Sequence, residues 1–595
     1  MIKRFALLLL LVLPFTGCGK KSSTATASDS AIQDVPVTLE TGGEVDPIAV
    51  PTALKGGSFT TWAGPFPQSL NVWLDPTPLA ASVSPMLFEP LVSMHSVKDE
   101  PIGVLAESWE ISPDKKTYTF HLDPRAKWSD GQPVTADDVQ FYYDVMMNPK
   151  NLTPAFRVEL ERFSRPEVLD PQTIRMTANQ PHWANFWAAG GMYAFPKHAW
   201  KDLDFNKQNF AFPVVSGPYK LGEVKMNRSV ELIRRGDWWG RVKRFNIGKY
   251  NFDRLIFKAM EDRNKALEVL KSGGFDLLPI YTAQIWAEKT NFPQVQKNWI
   301  VRQEVSNKEP KSYQGFAMNL RRPLFQDPRV REALALLLNR ELMNDKLMFH
   351  QYFLLNSYYP DFYPNNENPA VPLDKFDPEK ARALLKEAGW EVGPSGTLQK
   401  DGQPFSFTII HYEGSDLRHL NIYVQAMKSV GIDARLDIIS MATFTKRVDN
   451  HDFDMFWLNT SSSRLRDPEA VWASKSADEL ATGNRTGVKD AEIDRLVELQ
   501  KTEMDLAKRN EILKQIDARL VEIRPFVLMW QSAKDNLLYW NKFGTPPTVL
   551  DKFNREDAAL VYWWYDPIKD KALADAQKAN TALPPVPPVI VYPEE

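Results

Sequence analysis

The sequence predicts a mixed α/β protein built from more than one packing unit, and three observations carry that prediction. The chain has 595 residues, too many for one core at about 150 residues per domain. Short stretches such as 117–122 alternate polar and apolar residues with the period of a half-buried strand, while Val139, Tyr142, Tyr143 and Met146 fall at helical spacing. A helix over 264–272, ended by Gly273-Gly274, separates strands at 254–257 and 275–278. That layout is a βαβ crossover and implies parallel pairing.

Composition narrows the function. Hydrophobic residues make up 43% of the chain and 18 are Trp, enough to bury sizeable cores. A formal net charge of −3 gives no case for nucleic acid, which is bound through clustered Lys and Arg. The single cysteine, Cys18, excludes an intramolecular disulfide framework. It stands at the end of an export signal: Met1-Ile2-Lys3-Arg4 is basic, 5–15 is apolar, and the run is shorter than the roughly 20 residues that span a bilayer. Residues 1–17 are therefore expected to be a signal peptide. Phe15-Thr16-Gly17-Cys18 resembles a bacterial lipobox, which implies cleavage before Cys18, a lipid on its sulfur and attachment to a bacterial membrane at the periplasmic or extracellular face. Residues 18–54 lack hydrophobic periodicity and read as a flexible tether. The far end, 571–595, contains two Pro-Pro pairs that favour extended polyproline geometry, so an unpacked tail is expected there.

Between the ends, a strand at 57–62 opens the folded part, and 69–75 precedes a loop broken by Pro. The strand at 117–122 runs into Trp128-Ser129-Asp130-Gly131, a turn in which Gly tolerates positive φ and Asp bonds its own backbone. Thr135 then caps a helix whose first turn carries Asp137 and Asp138, where the exposed N–H groups favour carboxylates. Residues 148–212 are irregular and aromatic, with a strand at 173–176 and Trp183, Trp187 and Trp200 on helices. Ser216-Gly217-Pro218-Tyr219 is a turn, and 229–235 is a strand.

A second unit starts near Ser312. Its strand at 313–320 meets Asp327-Pro328, an N-cap followed by Pro at the first helical position, and Asp377-Pro378 repeats that logic. Strands follow at 405–411, 434–439 and 453–458, with helices at 417–430 and within 490–522. A strand over 525–530 is expected to carry the chain back to the first unit.

Several of these segments resemble the family 5 extracellular solute-binding proteins, the dipeptide, oligopeptide and nickel receptors of ABC importers. The alternating strand followed by W-S-D-G and P-V-T-A-D-D-V is similar to the family's signature region, although Asp123-Pro124-Arg125-Ala126-Lys127 replaces its usual Gly-containing segment. L-F-E-P-L at 87–91, S-G-P-Y at 216–219 and FAMNLRRPLFQDPRVREAL at 316–334 extend the match. The Arg-Arg-Pro variant looks like the oligopeptide and microcin-importing subgroup.

The resemblance implies a periplasmic-binding-protein-like two-lobed fold, type II and cluster C-like. Lobe I would span 55–311 with an extra subdomain over about 91–215, lobe II 312–524, and 525–570 would return to lobe I. It also implies a monomer that captures oligopeptides or peptide-like solutes by hinge closure and hands them to the permease and ATPase of an ABC importer. Neither a cofactor nor a resident metal is expected. In relatives an acidic residue after the strand matching 453–458 holds the peptide's amine, and here it is missing. Asn459, Ser461 and Ser462 can still bond an extended peptide, as an added strand would, and Arg464 or Arg466 can bind a carboxylate bidentately. Trp457 and Trp530 are candidates for the wall of a side-chain pocket, Asp75 for a pocket carboxylate, and Asn319 for a further ligand contact.

Enzyme signatures are missing from the sequence: there is no G-x-S-x-G, no H-E-x-x-H, no G-x-x-x-x-G-K-[ST] and no dinucleotide fingerprint. His411, Glu413, Asp416 and His419 are the nearest thing to a metal cluster, but their spacing fits no metal template. An oligosaccharide or metal-chelate receptor of the same fold, or an envelope scaffold that has lost transport, remain as rival readings.

Overall fold

The alternating segments assemble into two large sheets in the computed structural model, which describes residues 32–413 and 417–593. The first sheet has eight strands in the order Val589–Val591, Ile300–Ser306, Asp535–Trp540, Leu277–Pro279, Ser58–Trp62, Arg254–Lys258, Ser229–Arg234 and Tyr219–Lys225. The expected crossover is present with one refinement. Arg254–Lys258 and Leu277–Pro279 are both parallel to Ser58–Trp62, which lies between them, and the helix Arg263–Lys271 connects them. Asp262 caps that helix by accepting from Asn264 and Lys265 N–H groups.

The second sheet has five strands, ordered Asp433–Ile439, Ser406–Tyr412, Met455–Asn459, Gln314–Met318 and Phe526–Leu528. Its pleat sends alternate residues to two separate cores. Phe316 and Met318 pack with Leu334, Leu385 and Tyr423, while Ala317 joins Phe456, Trp472 and Ile516 on the other face. The chain crosses between the sheets at 307–313 and again at 533–534, which is the double connection that a two-lobed hinge fold requires. The second crossing comes later than the sequence suggests. The segment 525–530 divides into Phe526–Leu528, paired with Gly315–Ala317, and Trp530–Ser532, paired with Tyr352–Leu354, so both pieces stay with the second lobe.

A four-stranded antiparallel sheet, ordered Ala106–Ile111, Thr117–Leu122, Thr173–Thr177 and Glu167–Asp170, forms the subdomain of the first lobe with the helix Ala136–Met147. Asp138 is more than a charge in that helix's first turn. Its buried carboxylate accepts from Thr135 N–H (2.9 Å), from the Trp128 indole (3.3 Å) and from Lys197 N–H (2.9 Å), so it ties the turn, the helix start and a distant loop together.

Two expectations for the chain ends are corrected. Residues 32–54 are not a loose tether: Val35 and Glu40 N–H groups bond Gly236 and Val242 carbonyls, and buried Asp46 pairs with Lys249 at 2.5 Å. The tail is not unpacked either, because the helix Pro567–Ala579 leads to Val589–Val591, which joins the eight-stranded sheet parallel to Glu304–Ser306. Two Pro-Pro pairs kept the segment extended, and an extended segment is what a sheet edge accepts. The signal peptide and Cys18 lie outside the described residues. Among the described residues no helix is long and apolar enough to cross a membrane.

Candidate functional site: a cavity between the lobes

The helix Pro78–Leu87 forms one wall of the cavity between the lobes. Thr77 accepts from Ala80 N–H at its start, and Pro78 occupies the first helical position, where no N–H is needed. Ser82, Met86 and then Glu89 follow at spacings of four and three, and all three line a cavity of about 860 Å³. Glu89 is 5% exposed and holds the indole N–H groups of Trp238 (3.2 Å) and Trp239 (2.9 Å) on its two oxygens. Burial dominates its acidity and pushes its carboxyl up to about 7.

The returning segment 551–562 supplies the next wall. Asp557 accepts from the Ser82 hydroxyl on both oxygens at 3.1 Å. It is open to the cavity yet surrounded by protein, and this desolvation raises its pKa. Arg555 pairs with Asp535 at 2.8 Å and lies 4.9 Å from the Tyr281 ring centre, and the Tyr281 hydroxyl donates to Glu556. Asp551 caps its own turn, accepting from Phe553 and Asn554 N–H groups.

The second lobe closes the cavity with residues 462–465. Arg464 reaches across to the first lobe, donating to Asp99 Oδ1 (2.9 and 2.7 Å), to His95 O (3.0 Å) and to Lys98 O, with its guanidinium 3.7 Å from the Phe553 ring centre. A second contact joins the lobes at the subdomain. Trp183 donates its indole N–H to Gln500 Oε1 (2.7 Å) and its backbone N–H to Lys501 O (3.0 Å), under the Arg509 guanidinium at 4.0 Å.

The structure spreads the residues that the sequence nominated. Ser462 and Arg464 line the cavity, and Ser461 sits exposed beside them. The fork of Arg464 is engaged by the first lobe, and that of Arg466 by Asp361 at 2.8 and 2.7 Å. Asn459 is exposed at the end of its strand, opposite Gln314, while Trp457 stacks on His411 at 5.6 Å and 7°. Trp530 is buried in the core of the second lobe. Asn319 is buried too, donating to His451 and Phe453 carbonyls, and Asp75 closes a loop by accepting from Gln68 and Ser69 N–H groups. Glu89, Trp238, Trp239, Ser82 and Asp557 were missed. Glu89 stood in the L-F-E-P-L motif, but nothing local in the sequence brings residue 557 beside residue 82.

Of the suspected metal cluster, Asp416 lies outside the described residues, and His411 is buried against Trp457 and Tyr412. His182, Asp467 and Glu469 do converge, but Lys501 (2.7 Å) and Lys475 already neutralise Glu469, and the Arg162 guanidinium stands 3.8 Å from Asp467. The site is thus already supplied with cations. What the arrangement can do is enclose a solute and present it with charges and indoles, since a lidded cavity of this size fits a ligand pocket.

Comparison with known proteins agrees. A model of the bacterial extracellular solute-binding proteins, family 5, matches residues 100–480. The protein YejA of Escherichia coli is 28% identical over 570 residues, covering 89% of this chain and 92% of its own. A relative in Agrobacterium fabrum, described as a probable peptide-binding protein, is 26% identical over 546 residues, covering 84% and 88%. Among solved structures, the oligopeptide-binding protein AppA of Bacillus subtilis, in complex with a nonapeptide, superposes with a TM-score of 0.67 at 22% identity, over 86% of this chain and all of its own. NikZ of Campylobacter jejuni, with a nickel–histidine complex, gives 0.67 at 23%, over 85% and 99%.

Proposed function

This chain belongs to the family 5 bacterial extracellular solute-binding proteins, and on that premise we propose that it captures oligopeptides or peptide-like solutes between its lobes and delivers them to the permease and ATPase of an ABC importer. The observation that carries this reading is the cavity of about 860 Å³ bridged by Arg464. It lies between two lobes joined by two crossings, so opening and closing have a mechanical route. A relative described as peptide-binding and a structural neighbour holding a nonapeptide favour peptide over sugar or chelate. The protein acts as a carrier, without a chemical step on its solute, and as a monomer.

The test is to purify the protein without refolding and identify released ligand by mass spectrometry, then titrate short peptides, sugars and metal chelates by calorimetry. Bound peptides and a peptide response are expected. A response to sugars or chelates alone would refute the substrate, and an empty, unresponsive cavity would favour a scaffold role.

Anchoring through Cys18 is part of the same proposal, supported by the lipobox-like ending of the export signal. Labelling cells with a fatty-acid analogue is expected to mark the protein, and Cys18→Ala to abolish the label and release the protein from membranes; a soluble, unlabelled wild type would remove the anchor.

A further inference from the structure

The charges lining the cavity are balanced unequally. Each of its four Lys and Arg side chains is paired with an acid: Lys243 stands 3.7 Å from Asp123, Lys249 2.5 Å from Asp46, Arg464 2.7 Å from Asp99 and Arg555 2.8 Å from Asp535. None of those four acids lines the cavity, so Lys243, Lys249 and Arg464 are neutralised from behind, while Arg555 is shared between Asp535 and the lining Glu309 (3.9 Å) and Glu556 (3.7 Å). The lining carboxylates are Glu89, Glu309, Asp551, Glu556 and Asp557, and among the described residues only Glu309 and Glu556 have a cation within 4 Å. Among the described residues, Glu89 is held by two indoles, Asp551 by amides and Asp557 by one hydroxyl. Glu556 Oε2 is buried without a hydrogen-bond partner. The cavity therefore presents five carboxyl groups against four cations that are already paired with acids, and low-dielectric walls concentrate the negative balance.

We propose that the cavity selects peptide-like solutes with a cationic side chain, and that Asp557, positioned by Ser82, is the carboxylate that meets the cation. Asp557 combines three properties that the other acids do not share. It is exposed to the cavity, it lacks an ion pair among the described residues, and both its oxygens are oriented by the hydroxyl of a helix whose start is capped. Burial opposes its ionisation, so a ligand ammonium or guanidinium restores what desolvation removed. Glu89, just past the end of the same helix, places a second carboxyl on that wall.

This inference rests on the peptide reading, and its test separates the two. Two synthetic pools of tetra- to hexapeptides with identical free termini, one containing Lys and the other Glu at random internal positions, compete for the mature protein, with retained peptides counted by mass spectrometry. The expected enrichment of the Lys pool is about tenfold, or about 1.4 kcal/mol. Asp557→Asn should reduce the enrichment to within about threefold, or about 0.65 kcal/mol, through weaker retention of the Lys pool. For a wild type read without any variant, enrichment should shrink as salt rises from 0.01 to 0.5 M. Equal retention of the pools, enrichment of the Glu pool, or an enrichment untouched by Asp557→Asn in a variant with wild-type melting would overturn the proposal while leaving peptide binding intact. Retention of neither pool would sink the peptide reading and this inference with it.

Discussion

Glu89 concentrates the residue-scale physics of the cavity, because a carboxylate serving as acceptor for two indoles is also kept from ionising by burial. Its folded pKa lies near 7 against an ordinary 4.5. Raised this way, the folded state holds the proton more tightly than the unfolded chain. The associated stability is thus complete below about pH 4.5 and is lost as pH rises toward 7, at up to about 1.4 kcal/mol per pH unit for one proton. Urea melts at pH 5 and pH 8 should show this fall, and Glu89→Gln should flatten it. The variant should be about 1 kcal/mol less stable at pH 5, where the amide can accept from only one indole. A pH slope equal in both proteins would assign the titration to other groups. None of this was legible in the sequence, where Glu89 belonged to a motif and Trp238-Trp239 was a pair of aromatics a hundred and fifty positions away. Turn and cap residues such as Thr135 and Asp327 were legible, because their roles depend on neighbours within three positions.

Elements were readable where their signals were local, as in the strands at 117–122 and 313–320 and the helix between 254 and 278. The chain ends were misread for the opposite reason. Residues 32–54 and 589–591 have no periodicity of their own and owe their order to bonds with a lobe already formed. Val589–Val591 shields the edge of Ile300–Ser306, and Gln303 Nε2 donates to Pro587 O at 2.8 Å. Deleting residues 585–595 should lower stability by about 1–3 kcal/mol, a few net hydrogen bonds with the apolar contacts of Ile590, measured by chemical denaturation. Unchanged stability would mean that the strand is an ornament. The same deletion should increase concentration-dependent association, since an unpaired edge recruits other strands.

For the whole molecule, the lobes are held together beside the cavity by Arg464 and on the subdomain by Trp183, with weaker bonds at 3.4 Å from Tyr352 to Tyr281 O and from Arg418 to Gln284. The Arg464 pair is partly exposed, with 14% and 50% side-chain exposure for Arg464 and Asp99, so its worth is closer to a surface ion pair than to a buried one. Arg464→Ala should leave unfolding stability within about 1 kcal/mol of wild type and raise the peptide Kd by up to about fivefold, because the lid loses its clasp. Trp183→Ala should enlarge the radius of gyration of the unliganded protein in small-angle scattering, and saturating peptide should reverse the change. An identical radius in wild type and variant would show that the subdomain contact does not report on closure. Peptide at a hundred times its Kd should stabilise the wild type by about 2.7 kcal/mol. The packed strap at the start of the described chain and the edge strand at its end have one more consequence, for anyone who wishes to watch closure by light. Both ends ride on the same lobe, and the other lobe is inserted between residues 307 and 533. A pair of fluorescent reporters attached at residues 32 and 593 would thus move as one body and give no signal. To sense the solute, one reporter must be spliced into the far lobe, for which the exposed turn at Gly396, between the strands Glu391–Val392 and Leu398–Lys400, offers an insertion point remote from the cavity.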